Sequence, residues 1–305
     1  SDVCSSDLAN DQTIETALVE ARLLIGNEAL FERLSIAFRQ QIDPQAFFQA
    51  KRMEQAERYL RYQETPYSLE PNCKESPGGL RDLQAILWIA QAAGFGCTWK
   101  DLQLHGFITQ QEALGLQRRE LFLERLRIQL HIHVRRREDR LLFDHQRAIA
   151  EQMGFSDSPS LLASEQLMQE YYRTAKVITQ LNTILLQNIG TAIFPTHAYP
   201  PVPISPRFQA VNQFLDVVHE DVFNRQPGAI FEAFLIMQKH SELRGMTART
   251  IRALWRARTL VDEAFRNDPE NKSAFVSLFQ QERGVLHEMR RMNQFDILGR
   301  YLPKF

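Results

Sequence analysis

The chain has 305 residues and only three cysteines, Cys4, Cys73 and Cys97. Three are too few for a closed disulfide framework or a four-cysteine zinc site, and that usage fits a reducing, cytoplasmic compartment. No apolar run approaches the roughly 20 residues of a membrane span, so no membrane role is expected. No basic segment followed by an apolar one marks a signal peptide. Neither sign of charge prevails, with 36 Lys plus Arg against 37 Asp plus Glu. That balance gives no global drive toward nucleic acid or a lipid surface. Glycine and proline, 13 of each, are too few for a low-complexity chain. Chemistry-bearing motifs are missing as well. There is no Asp-x-Asp pair to hold Mg²⁺, no His-Asp dipeptide, no Walker lysine loop, no Gly-x-Gly-x-x-Gly and no Gly-x-Ser-x-Gly. The chain therefore holds no self-contained catalytic residues and no metal ligand set.

What is present is helical periodicity. The patterns predict helices over about 13–25, 28–40 and 44–62, the last opened by Asp43-Pro44 as cap and first helical residue. Residues 65–79 carry Pro66, Pro71, Pro77 and the Gly78-Gly79 pair, and read as an ordered loop. Helix resumes over Leu80–Ala93. Thr109 and Glu112 form a capping box for a helix to about Arg137, with Phe122, Leu126, Leu130 and Val134 as its buried face. Another long helix is predicted over about 161–188. Five prolines between Pro195 and Pro206 favour a stiff, extended connection. Residues 208–218 read as a short hairpin around Asn212-Gln213, followed by helices over about 226–240, 247–266 and 272–291, the last broken at Gly284. The fold class is mainly α, with at most that one hairpin.

Three groups of residues invite a functional reading. The first is Lys74-Glu75-Ser76-Pro77-Gly78-Gly79-Leu80-Arg81-Asp82. A Pro-Gly-Gly turn running into a helix can offer free amides to a phosphate, beside Lys74 and Arg81. The plainer reading is a turn and a helix start, with Arg81 and Asp82 on the surface. The second group, from Arg118 to Arg147, has nine arginines and five acids. It reads mainly as a solvated, ion-paired helix face, or as a face for phosphates or an acidic partner. The third, Arg244 to Arg258, has five arginines and no acid, with Arg249, Arg252 and Arg256 on one helical face. No nucleic-acid module accompanies it. His131 and His133 are two apart, which on a helix excludes joint chelation, so both read as structural.

Taken together, the motifs resemble a known family. Lys74–Asp82 resembles the stretch shared by the PII uridylyltransferase/uridylyl-removing enzymes and the glutamine synthetase adenylyltransferases. The uridylyltransferases are the closer match, through Glu20–Gly26, Tyr67–Pro71, Asp139–Asp144, Met168-x-x-Tyr171-Tyr172-Arg173 and Phe295–Pro303. The resemblance implies Mg²⁺-dependent transfer of UMP from UTP to a tyrosine of the PII signal protein, and hydrolytic removal of that group. Glutamine would act as effector through domains outside this chain, and the Mg²⁺ ligands and catalytic residues would also lie outside it. Residues 1–8, Ser-rich and without helical periodicity, are set aside as an artefact or scar, and the resemblance makes 9–66 the last helices of a nucleotidyltransferase domain. A helical domain follows over 67–192, then a Pro-rich linker over 193–206 and a second helical region over 207–305. The abrupt ends suggest part of a longer protein.

Lys74, Ser76, Gly78, Gly79, Arg81 and Asp82 are then the expected nucleotide-binding residues. Arg136, Arg140, Arg249, Arg252 and Arg256 are the expected partner or interdomain surface. Two alternatives stay open: a non-catalytic helical scaffold that binds PII, and a relative of the adenylyltransferases.

Overall fold

The computed structural model describes residues 12–62, 66–194 and 200–303. The chain divides into two compact units, Ser1–Phe194 and Pro195–Phe305. The Ser-rich opening, residues 1–8, and part of the Pro-rich stretch, 195–199, lie outside the described residues.

The first unit contains helices α1 Gln12–Val19, α2 Glu28–Gln41, α3 Pro44–Arg61, α4 Leu80–Ala92, α5 Trp99–Leu104, α6 Gln110–Val134, α7 Phe143–Gln152 and α8 Ala163–Ile193. Capping chemistry sets several starts. The Asp43 carboxylate accepts the amides of Gln45 at 2.8 Å and Ala46 at 3.2 Å, so α3 begins at Pro44. Thr109 and Glu112 form the expected reciprocal box, at 2.7 and 3.2 Å. Helix α6 ends three residues before the expected Arg137, because Arg135 adopts a left-handed φ of 54° and turns the chain back. Helix α1 stops at Val19 rather than Ile25; Leu24 and Ile25 are 78% and 96% exposed, so the apolar pattern continued past the helix without a core to face.

The core of this unit lies between α4, α7 and α8. Leu83, Ile86 and Ile89 from α4, and Leu167, Tyr171, Ile178, Leu181 and Leu185 from α8, are fully or almost fully buried. Each such Leu or Ile contributes about 1.5–3 kcal/mol relative to exposure. On α6 the large buried side chains are Leu116, Leu123, Leu126 and Leu130, which corrects the expected Phe122 and Val134. Leu114, Leu121, Ile128 and Ile132 stand exposed on the opposite side. A helix with apolar residues on both faces does not reveal by periodicity which face is inside.

The second unit wraps a small sheet in helices. Strands β1 Val202–Pro203, β2 Phe208–Val211, β3 Phe214–Val217 and β4 Gly245–Met246 lie in that order; β1, β2 and β3 are antiparallel, and β4 joins β3 in parallel. The hairpin is as expected, but the sheet is larger than one hairpin. Part of the expected linker forms an edge strand, where Pro203 leaves no unmet ladder donor. Helices α9 Val222–Arg225, α10 Ala229–Lys239, α11 Ala248–Ala257, α12 Glu263–Asn267, α13 Pro269–Phe279, α14 Val285–Gln294 and α15 Leu298–Tyr301 follow. The single helix expected over 247–266 is broken by a 3₁₀ turn at Arg258–Leu260, after which Asp262 caps α12 through the Phe265 amide at 2.9 Å. The expected break at Gly284 is present, with φ 79°. Phe231 centres the core, its ring 5.2 Å from Phe265, 5.6 Å from Phe275 and 4.9 Å from Tyr301.

The hairpin turn places Asn212 and Gln213 at φ 49° and 67°. Two successive left-handed residues are the geometry that Asn-Gly satisfies, and Gln213 bears a side chain where glycine fits best. Gln213→Gly is expected to raise the stability of the second unit by about 0.5–1 kcal/mol, read from the shift of its urea transition.

Candidate functional site

The loop between α3 and α4 is held by the sequence features noted separately above. Buried backbone needs partners for its polar groups. Asn72 Oδ1 accepts the amides of Lys74 at 3.0 Å and Glu75 at 2.8 Å. Ser76 Oγ, on a buried side chain, accepts the Asn72 amide at 3.0 Å. The segment after α6 then pairs with the loop as a short antiparallel bridge, Asn72 opposite Arg140. The Cys73 amide donates to Asp139 O and the Leu141 amide to Pro71 O, both at 2.8 Å. Gln146 donates to Leu69 O at 2.8 Å, and the Tyr172 hydroxyl to Ser68 O at 3.0 Å. Stretches 67–82, 139–146 and 171–172 therefore form one assembly.

The Pro-Gly-Gly turn works by close approach. Gly78 has φ 78°, and a Cβ there would lie 2.2 Å from Ala175 O on α8. A Cβ on Gly79 would lie 2.7 Å from Lys74 O. The free amides expected at the start of α4 are all engaged. Gly79 donates to Ser76 O at 2.8 Å, Leu80 to Cys73 O at 3.1 Å, Arg81 to Lys74 O at 2.9 Å and Asp82 to Gly79 O at 3.1 Å. The Gly78 amide donates to Asp82 Oδ2 at 2.7 Å. An anion at this turn has to be met by side chains.

Asp82 is 0% exposed, which corrects its expected surface placement. Besides Gly78, its carboxylate accepts from Arg58 Nη2 at 2.7 Å, the Tyr59 hydroxyl at 2.6 Å and Gln55 Nε2 at 3.3 Å. Burial, and then the Asp82 charge, push the Tyr59 hydroxyl well above its ordinary pKa, so it stays a donor. Arg58 also donates to Glu75 O at 3.1 Å. Gln55, Arg58 and Tyr59 were not singled out from the sequence. Their signal is that Phe47, Lys51, Gln55 and Arg58, one buried stripe of α3, become more polar along the helix.

Above this layer lies a half-buried cationic rim. Lys74 Nζ is 3.6 Å and Arg81 Nε 3.5 Å from Glu75 Oε1, and Arg58 Nε is 3.9 Å from Glu75 Oε2. The Arg81 guanidinium sits 5.0 Å from the Trp88 ring centre, and Lys51 Nζ lies 5.4 Å from the same centre. Such stacking orients an arginine without neutralising it. Cys73 is not a nucleophile candidate, since burial, aided by Asp139, pushes its thiol up to about 12.

The expected arginine surfaces fare differently. Arg140 reaches Glu70 at 3.3 Å and Arg136 reaches Glu138 at 3.5 Å; both are largely exposed. Burial raises the Asp139 carboxyl, but hydrogen bonds from Arg127 and His131 outweigh that and hold it below the usual range. Arg249 is no free surface cation: it grips the buried Asp216 carboxylate and the Val217 carbonyl. Arg256 is exposed, 4.0 Å from Glu220, while Arg252 has partners within the chain.

Both units of the chain resemble known proteins. A family model described as GlnD PII-uridylyltransferase matches residues 46–186, which hold the whole loop assembly, and one described as uridylyltransferase GlnD third domain matches 208–301. A bifunctional uridylyltransferase/uridylyl-removing enzyme of Aromatoleum aromaticum is 53% identical over 295 residues, 97% of this chain and 34% of that protein. Enzymes of the same name from Bordetella parapertussis and Burkholderia thailandensis are 49% and 48% identical, covering 99% and 100% of this chain but 35% and 36% of their own length. The chain thus spans about a third of the curated relatives it matches. No solved structure matches.

The packing at Gly78 yields a quantitative expectation. Gly78→Ala must move α8 backbone as well as strain φ, and should cost more than 3 kcal/mol or prevent folding of the first unit, on the order of a severe overpacking. Gly94→Ala, with a similar φ of 77° and nothing within 4 Å of its Cβ, should cost only about 1 kcal/mol. Urea unfolding of the two variants measures the difference.

Proposed function

This chain belongs to the GlnD PII-uridylyltransferase family, and we propose that it forms the helical middle of a bifunctional uridylyltransferase/uridylyl-removing enzyme. The intact cytoplasmic protein would transfer UMP from UTP to a tyrosine of the PII signal protein and hydrolyse it off again, in response to nitrogen supply. Glutamine would act through parts beyond these residues. Among the described residues no cluster of three or more His, Cys, Asp or Glu side chains suits a metal ion. The Mg²⁺ ligands would come from elsewhere in the intact enzyme. No helix among the described residues is long and apolar enough to cross a membrane.

One observation carries the reading of the site. The Arg58–Asp82 pair locks the turn so that Lys74 and Arg81 stand together at its solvent edge. When the tyrosine oxygen attacks the α-phosphorus of UTP, the bond to the bridging oxygen breaks and negative charge develops on the leaving pyrophosphate. Two fixed cations stabilise that charge without reorganising at the moment of reaction. Ser76, Gly78, Gly79 and Asp82 belong to the same site as its frame: they set the turn and are too deeply placed to touch the nucleotide. The scaffold alternative, which needs free arginine faces, is weakened by the internal pairing of Arg249. The relatives named above are uridylyltransferases, which favours that branch over the adenylyltransferases.

Arg81→Ala in the intact enzyme should lower uridylyl transfer by roughly a hundredfold, as loss of one charge-stabilising donor does, and spare uridylyl removal. Assays of both activities on the PII protein make the test. Equal loss of the two would mean that Arg81 serves folding instead.

A further inference from the structure

Three cations face one carboxylate at the rim, and none holds it closely. Lys74 Nζ, Arg81 Nε and Arg58 Nε stand 3.6, 3.5 and 3.9 Å from the Glu75 oxygens, and Arg81 Nη2 stands at 3.5 Å. Charge-assisted contacts close to about 2.7–2.9 Å when geometry allows. The Arg58 side chain is 4% exposed, and its Nε–H is a buried donor with no hydrogen-bond acceptor. A buried donor left unmet costs about 1–3 kcal/mol. Glu75 Oε2 lies 3.9 Å from it, beyond hydrogen-bond reach. Glu75 itself is 29% exposed, so the cluster opens to solvent on its side. The local sum also favours an anion: Arg58, Lys74 and Arg81 outnumber Glu75 and Asp82, and Asp82 is already saturated by four donors.

We propose that Glu75 is a resident anion occupying a phosphate site, and that the β,γ-phosphates of the nucleotide displace it to bind Lys74, Arg81 and Arg58. A carboxylate is planar and presents two oxygens. A phosphate is tetrahedral and larger, and can meet converging donors that the carboxylate leaves at long range. In the empty enzyme Glu75 keeps three like charges from repelling one another. Its displacement sets a threshold: an anion with one or two phosphate oxygens in reach competes poorly, while a pyrophosphate unit competes well. This deepens the nucleotide reading above and rests on it.

The probe is inorganic pyrophosphate, titrated calorimetrically into the 305-residue chain, its Glu75→Gln and Glu75→Ala variants, and Arg81→Ala. Removing the competing carboxylate should tighten pyrophosphate binding roughly tenfold or more, the scale of one charged hydrogen bond. Both Glu75 variants should move the same way, and Arg81→Ala should abolish binding. Circular dichroism and unfolding midpoints show that the variants are folded. If unsubstituted chain binds and Arg81→Ala does not, but the Glu75 variants bind no tighter, the nucleotide reading survives and the displacement proposal is wrong. If no folded variant binds pyrophosphate, both are wrong.

Discussion

A carboxylate with no access to water governs the first unit. Asp82 sits at the start of α4, and four donors converge on its carboxylate. Three come from α3, some 23 to 27 residues earlier in the chain, and one is the Gly78 amide. An isolated buried carboxylate would cost many kcal/mol, and removing one partner of a buried pair typically costs about 3–5 kcal/mol. A pair of this kind adds little net stability over a well-packed apolar substitute. Its contribution is geometric. The four bonds tie α3, the turn and α4 to one another. That arrangement presses Gly78 onto the backbone of α8 and directs Lys74 and Arg81 outward.

This separates two roles that a linear motif mixes. Within Lys74–Asp82, the serine, the glycines and the aspartate are internal. They close a turn, saturate its amides and bury its charge. The lysine and the arginine are the parts left able to meet an anion. The second unit repeats the principle on a smaller scale. Asp216 on β3 is pinned by Arg249 of α11, with Gln209 and Thr247 also donating. Burial raises the Asp216 carboxyl, and those hydrogen bonds more than offset it and hold the group below the usual range. There the arginine is tied to the fold, although its side chain is still 40% exposed.

Much of the architecture was legible from local rules. The caps at Asp43 and Thr109, the break at Gly284 and the hairpin at Asn212-Gln213 all follow from residues within four positions of one another. What was not legible is non-local. Nothing near Asp82 announces that its partners are Gln55, Arg58 and Tyr59, because a polar stripe on a helix ordinarily faces water. The choice of buried face on α6 was hidden for the opposite reason, since both faces are apolar. Strand β4 has two residues and no pattern of its own; it exists because β3 offers an edge. Likewise, free amides at a helix start are a fair expectation only until the preceding loop folds back and uses them.

Amide hydrogen exchange on Asp82→Asn tests the dependence on this carboxylate most directly. The side-chain amide keeps the size of the carboxylate but opposes a donor either to the Gly78 N–H and the Tyr59 hydroxyl, which share one oxygen, or to Arg58 and Gln55, which share the other. The account predicts fast exchange across residues 72–80, with protection in the cores of α7 and α8 retained. Unchanged protection of 72–80 would contradict it, and so would uniform loss across the whole first unit, which would make Asp82 one core residue among many.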